Sequence, residues 1–302
     1  MRIVITGGTG LIGSALAANL RSGGHEVIVL SRSPAKATGM PSGVQVERWN
    51  ARTSEGWAHL VEGTGAIVNL AGENIGAGRW TDDRKRRILD SRLDAGRAVV
   101  EAVKQASDKP GVVIQASGIG YYGPRQEAEI DEEETPGQDW LAEVAVQWEA
   151  TTAPVEAEGV RRAIIRTGVV LSRNEGALPR MLLPFRLFVG GPLGGGKQWF
   201  PWIHQEDEVA AIRFLIENSE AHGPFNLCAP NPVTNRQFSH VLGAVMGRPS
   251  LMPTPGFVLR MLFGEMATLL LDGQRAVPRR LLDLGFEFRF TTAEAALKDL
   301  LQ

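Results

Sequence analysis

The stretch Thr6-Gly7-Gly8-Thr9-Gly10-Leu11-Ile12-Gly13 lies between a short apolar run, 2–6, and a helical pattern that puts Ile12, Leu16 and Leu20 on one face. Gly8, Gly10 and Gly13 fit the spacing G-x-G-x-x-G, and Gly7, Gly10 and Gly13 fit G-x-x-G-x-x-G. Both spacings serve the same physics. Glycine permits a tight turn, lets backbone N–H groups close on a pyrophosphate, and lets the helix pack tightly on the strand. The helix N-terminus adds positive partial charge. In this strand–loop–helix setting the spacing predicts a dinucleotide site built on Gly7, Gly10, Leu11, Ile12 and Gly13.

Working outward, β-branched runs at 2–6, 26–30, 44–48, 66–70, 111–116 and 160–166 alternate with helical patterns. Apolar strands separated by helices predict a parallel sheet covered on both faces, a doubly wound α/β fold. After about residue 170 the rhythm changes. Residues 1–170 are expected to form the nucleotide-binding domain and 171–302 a smaller lobe, helical from about 234. Segments around 205–230, Phe225-Asn226-Leu227 among them, are expected to return to the sheet. Later helices are predicted at 206–218, 235–246, 256–271, 277–284 and 292–301. The apolar stretch 257–271 carries Arg260 and Glu265 and is shorter than the ~20 residues needed to span a bilayer, so a buried helix hairpin is expected. Residues 191–197 spell G-x-x-x-x-G-K, but Gln198 stands where a phosphate loop needs Ser or Thr. No strand–loop–helix pattern surrounds it, so a flexible or turn-rich segment over the cleft is expected.

Composition narrows the function classes. The 302 residues are 43% hydrophobic and 22% charged, as a folded chain requires. A net charge of -2 gives no electrostatic reason to expect nucleic acid or an anionic membrane as partner. A lone cysteine, Cys228, cannot form an intrachain disulfide or a cysteine metal cage, which suits a reducing cytoplasm. A soluble, cytoplasmic protein acting on a small molecule is the expectation; the oligomeric state is left open.

The second strand indicates which dinucleotide. An NAD site usually places Asp or Glu there for the ribose 2′-OH. This strand ends Leu30-Ser31-Arg32-Ser33, with no acid. Arg32 suits a 2′-phosphate, with Ser31 and Ser33 as hydroxyl donors and Lys36 adding charge, so NADP(H) is expected over NAD.

Asn69-Leu70-Ala71-Gly72, Tyr121-Tyr122-Gly123, Arg166-Thr167-Gly168 and Trp202-Ile203-His204 with Asp207 accompany the glycine loop. Together they resemble the extended short-chain dehydrogenase/reductase superfamily. Arg79-Trp80-Thr81, Asp90-Ser91-Arg92, Gln198-Trp199-Phe200 and Ala229-Pro230-Asn231-Pro232-Val233 resemble its atypical, epimerase-like branch, as does the helical C-terminal region. The resemblance implies that Leu70, Ala71 and Gly72 border the cofactor, with Glu73 just beyond. It places Asn50 where relatives carry an adenine-contacting Asp, and Arg92 where they carry Asn.

That superfamily works through Tyr-x-x-x-Lys on one helix, whose phenol exchanges a proton while hydride moves. Glu149 fits the Glu that follows four residues after the lysine, which puts Ala145 at the lysine site and Leu141 at the tyrosine site. Neither transfers a proton. The remaining candidates are Ser117, Tyr121 and Tyr122, then Glu73 and His204. His204 reads more naturally as a helix-start residue bonded to a neighbour, and Asp131 to Glu134 as a solvated acidic loop. Trp80, Trp199, Phe200 and Trp202 are candidates for the walls of a substrate pocket, with core packing the alternative. The expected function is that of an NADP(H)-binding oxidoreductase-like protein, or else a catalytically silent NADP(H)-binding sensor that docks a partner.

Overall fold

A computed structural model describes residues 1–125 and 127–302. Its centre is a seven-stranded parallel sheet. In chain order the strands are β1 (Arg2–Thr6), β2 (Glu26–Ser31), β3 (Gln45–Arg48), β4 (Ala66–Asn69), β5 (Val112–Gly118), β6 (Arg161–Thr167) and β7 (Gly223–Leu227). In space the order is β7-β6-β5-β4-β1-β2-β3. The order reverses between β1 and β4, and that switch point opens a crevice at the strands' carboxyl ends.

Side-chain alternation fills both faces. Ile3 and Ile5 of β1 join one core with Leu16 and Leu20 of helix α1 (Leu11–Ser22), while Val4 points into the other with Val99 and Val103 of α2 (Asp82–Gln105). Each of these is fully buried, contributing roughly 1.5–3 kcal/mol. Helix α3 (Trp140–Thr151) packs beside α2. Helix α4 (Leu178–Arg186) begins the second lobe, and α5 (Gln205–Glu217) returns to lie beside α1. The chain then re-enters the sheet as β7 before α6 (Asn235–Met246), whose Phe238 and Leu242 share a third core with Trp202, Leu182 and Leu297.

Two expectations about the second lobe change. Stretch 257–271 is not a buried hairpin. Helix α7 (Gly256–Phe263) stops at Gly264, where φ is +60°, and continues as a short 3-10 turn and Thr268–Leu271. Only Leu259 of α7 is buried, while Phe257 is 71% and Met261 66% exposed. The 191–198 segment is turn-rich as expected but pinned. Gly194 N–H donates to Thr254 O, Asn235 Oδ1 accepts from Leu193 N–H, and a Cβ at Gly191 would strike Met252 backbone at 2.3 Å. Among the described residues, no helix is long and apolar enough to cross a membrane.

Candidate functional site

The glycines of the 6–13 loop have different reasons to be glycine. Gly7 adopts φ +68°, and a Cβ there would lie 2.7 Å from Leu70 backbone. A Cβ at Gly13 would lie 2.5 Å from Gly7 O and Gly8 Cα, so helix α1 can seat on the loop only without it. Gly10 is unlike both. Its backbone is extended, and a Cβ would meet only Gly7 O at 3.4 Å, an ordinary contact. The chain itself does not require glycine at 10; the missing side chain leaves room for something outside the chain. Gly10 is also the N-cap of α1, with no side-chain cap and no acid in the first turn. The first N–H groups, at Leu11, Ile12 and Gly13, lack intrahelical acceptors and form an anion cradle.

Ser31 and Arg32 stand at the end of β2. The Ser31 Oγ accepts from Ser33 N–H at 3.2 Å, which shapes the turn and leaves its O–H free to donate. Arg32 is exposed, and among the described residues it makes no ion pair or hydrogen bond. Opposite the glycine loop, Ala71 N–H donates to Thr6 Oγ1, which donates to Asn69 Oδ1 at 2.6 Å; Asn69 in turn donates to Gln115. This buried chain fixes Leu70, Ala71 and Gly72 beside the loop.

Three residues expected beside the cofactor also make contacts within the chain. Asn50 is exposed, and its Oδ1 already accepts from Arg52 and Thr53 N–H, a local turn at the rim. Arg92 is buried, donates to Glu73 O and Ile88 O, and lies over the Trp148 ring at 4.6 Å. Burial lowers its pKa to about 10, with Glu73 opposing, and its role is to hold the Gly72–Glu73 backbone from behind. The Glu73 carboxylate lies 3.5 Å from both Arg84 and Arg87.

The expected proton donors divide sharply. Ser117 is buried, and its hydroxyl donates to Glu149 Oε1 at 2.7 Å. The same carboxylate takes a bidentate pair from Arg166, both bonds 2.9 Å. Burial opposes the Arg166 charge, but Glu149 and Tyr122 more than offset it, so the guanidinium is held charged beyond its ordinary range. Tyr122 is completely buried; its OH donates to Asn226 Oδ1 at 2.7 Å and accepts from Arg166 at 3.0 Å. Burial pushes its phenol well above the usual range, against the effect of Arg166. Ser117 and Tyr122 are therefore parts of a buried, hydrogen-bonded frame. Tyr121 differs. It is half-buried, its ring stacks on the Arg166 guanidinium at 3.4 Å, and among the described residues its OH has no hydrogen-bond partner.

Leu141 and Ala145 offer no proton-transfer group. Ala145 is buried, and Leu141 packs with Trp80, Trp140 and Met266 in an apolar cluster that fastens α3 to the C-terminal lobe. Trp80 and Trp202 are buried core residues; Trp199 and Phe200 are half-buried, Phe200 packing on Phe238 and Trp199 lying under Arg275. His204 caps α5, its Nδ1 accepting from Glu206 N–H at 3.1 Å. Burial lowers its pKa.

The acidic loop at 131–134 is not wholly solvated. Glu132 is buried and accepts from Asn226 N–H and Arg280 N–H. Sequence reasoning also missed Glu208. It is fully buried, its Oε1 accepts from Thr167 Oγ1 at 2.8 Å, and its Oε2 has no partner among the described residues. Burial pushes its pKa to about 8, against the Thr167 bond. A signal existed: Glu208 falls on the stripe completed by Ala211, Ile212 and Leu215, all fully buried.

Comparison with known proteins agrees with this geometry. Residues 3–228 match the model of the NAD dependent epimerase/dehydratase family, and residues 254–300 match a domain of unknown function, DUF1731. The chain is 40% identical over 304 residues to Epimerase family protein SDR39U1 of Mus musculus, covering 99% of each. It is 40% identical over 304 residues to Epimerase family protein YfhF of Bacillus subtilis, covering 100% of this chain and 98% of the relative. Among solved structures, human epimerase family protein SDR39U1, crystallised with NADPH, superposes with a TM-score of 0.88 at 36% identity over 99% of each chain.

Proposed function

The chain belongs to the NAD dependent epimerase/dehydratase family, and on that premise we propose that it is an NADP(H)-dependent oxidoreductase acting on a small carbonyl or alcohol compound. Cofactor binding is carried by one observation: Gly10 leaves the N-terminus of α1 open, and Arg32, at the end of a β2 that carries no carboxylate there, makes no ion pair among the described residues. The α1 N–H groups receive the pyrophosphate, Arg32 and Ser31 hold the 2′-phosphate, and the 70–73 loop closes the opposite side. The bound nicotinamide supplies or accepts a hydride. The relative crystallised with NADPH supports the choice of dinucleotide.

Tyr121 is the crevice hydroxyl available to orient a substrate oxygen, with Arg166 fixing its ring from below. Ser117 and Tyr122 serve by holding Arg166 and Glu149 in place. Purified protein incubated with NADPH and a panel of aldehydes and ketones, with absorbance followed at the nicotinamide band, tests this reading. Turnover reduced by Tyr121→Phe supports it; tight NADPH binding with no turnover across the panel contradicts it.

The apolar packing of Leu141 favours a second reading, a catalytically silent NADP(H)-binding sensor that docks a partner. It predicts no turnover and a partner whose binding depends on whether NADPH or NADP⁺ is present. Both readings suit a reducing compartment, for which a chain with the single cysteine Cys228 is fitted.

A further inference from the structure

Carbonyl reduction needs a proton as well as a hydride, and most hydroxyls expected to give one are consumed elsewhere. Ser117 donates to Glu149 and Tyr122 donates to Asn226, while the Tyr121 OH has no hydrogen-bond partner among the described residues to restore a proton. Thr167 does. It is the last residue of β6, in register with Gly118 at the end of β5, so it stands at the carboxyl end of the sheet where the crevice opens. Its side chain is half-buried and contacts Glu208 of α5 at 2.8 Å.

Glu208 is an unusual group to keep there. It has no accessible surface, its second oxygen is unpartnered, and among the described residues no cation pairs with it. A buried carboxyl without a cation is stable only in the protonated form. The groups facing it do not change that. From the end of β7 comes Cys228, a buried thiol pushed well above its ordinary range, with Glu132 beyond it. From its own helix, Asp207 turns away to accept from Arg289 and Phe290 N–H, and Glu206 pairs with the Arg289 side chain. For packing alone, an apolar residue continuing the stripe of Ala211, Ile212 and Leu215 would serve better, since an unpartnered buried oxygen is destabilising.

We infer that Thr167, backed by Glu208, delivers the proton to the substrate oxygen during carbonyl reduction. This rests on the reductase reading above. Rotation of the two hydroxyls reverses the 2.8 Å contact, so that the Glu208 acid donates to Thr167 Oγ1 and the threonine hydrogen turns to the crevice. As hydride and its electron pair reach the carbonyl carbon, the C=O π pair moves onto oxygen. That oxygen takes the Thr167 proton, and Thr167 Oγ1 takes the Glu208 proton. The carbonyl becomes an alcohol, NADPH becomes NADP⁺, and the Glu208 carboxylate regains a proton from solvent when product leaves. Glu208 acts through Thr167 and touches no substrate.

The test uses the full chain with NADPH and phenanthrenequinone as the hydride acceptor. Wild type should show the infrared carbonyl stretch of a protonated carboxyl at neutral pH, titrating near pH 8 and missing from Glu208→Gln. Thr167→Val should lower the rate about 100-fold with NADPH affinity unchanged, and Thr167→Ser should restore it. The wild-type rate should fall above pH 8, where the acid ionises, and Glu208→Gln should lose that dependence. Absence of the infrared band, or a Thr167→Val rate equal to wild type, overturns the relay while leaving the reductase reading intact. NADPH binding with no reduction of this quinone or of the aldehyde and ketone panel overturns both.

Discussion

Replacing Glu149 with Leu removes the acceptor of three short hydrogen bonds, from Ser117 Oγ and from two nitrogens of Arg166. Arg166 is left 4% exposed, keeping only Tyr122 OH and the Glu132 carbonyl as polar partners. Breaking a buried pair by deleting one member costs roughly 3–5 kcal/mol, because the other charge stays buried without compensation. Urea unfolding should show that loss as a lower midpoint with an unchanged slope, and heating should show a drop of roughly 10 °C. Arg166→Met should cost a similar amount. The double variant should be less damaged than the sum of the two, with a coupling above about 1.5 kcal/mol. NADPH affinity should change by less than about threefold in any variant that remains folded, since none of these groups faces the Gly10 cradle. A loss below about 1 kcal/mol with no coupling would refute the reading of this cluster as a structural frame. It would return Ser117 to the list of proton donors.

Other outcomes follow from the same geometry. Gly10→Val should fold with a near-normal melting temperature yet bind no dinucleotide, because its Cβ has room in the chain but fills the cradle. Gly13→Ala should instead lose stability, its Cβ being 2.5 Å from Gly7 O; equal melting temperatures for the two would contradict the division of roles. Folding raises the Glu208 pKa from 4.5 to about 8, so the folded state holds a proton that the unfolded state releases. Its contribution is full below about pH 4.5 and fades as pH rises through about 8, a difference on the order of 5 kcal/mol. Unfolding free energies measured from about pH 5 to about pH 9 should therefore decline more steeply for wild type than for Glu208→Gln, and parallel curves would count against a neutral buried acid. On α7, Phe257→Ser should change stability by less than about 0.5 kcal/mol, as expected of a residue 71% exposed; a large loss in urea unfolding would show that this side chain is packed.

What was legible in the sequence was whatever depends on local pattern. The strands and the glycine loop declare themselves because Ile3, Val4 and Ile5 must fill two covered faces and because Gly13 meets the backbone of Gly7 and Gly8 a few residues away, whereas Gly7 meets Leu70 at the end of another strand. Arg32 is readable because the end of the second strand is a fixed distance from the loop. The crevice floor is not readable this way. Ser117 and Tyr122 differ from Tyr121 only in which way each side chain turns at the end of β5, and the groups that decide it, Glu149, Arg166 and Asn226, lie 32, 44 and 104 residues away from their partners. Glu208 was visible as an acid on an apolar stripe but was masked by its acidic neighbours Glu206 and Asp207, which face other partners. The 257–271 stretch misleads in the opposite direction: its first half is a short helix that buries only Leu259, and its second half buries only Met266 and Ala267.

In the proposed function, the α1 cradle and Arg32 hold NADP(H). Calorimetric titration of wild type and Arg32→Ala with NADPH and with NADH tests it most directly. Wild type should prefer NADPH by about 10-fold to 100-fold, the value of a charge-assisted arginine–phosphate contact, and Arg32→Ala should abolish most of that preference while leaving NADH affinity unchanged. Equal affinity of wild type for the two dinucleotides, or an equal loss of both in Arg32→Ala, would contradict it.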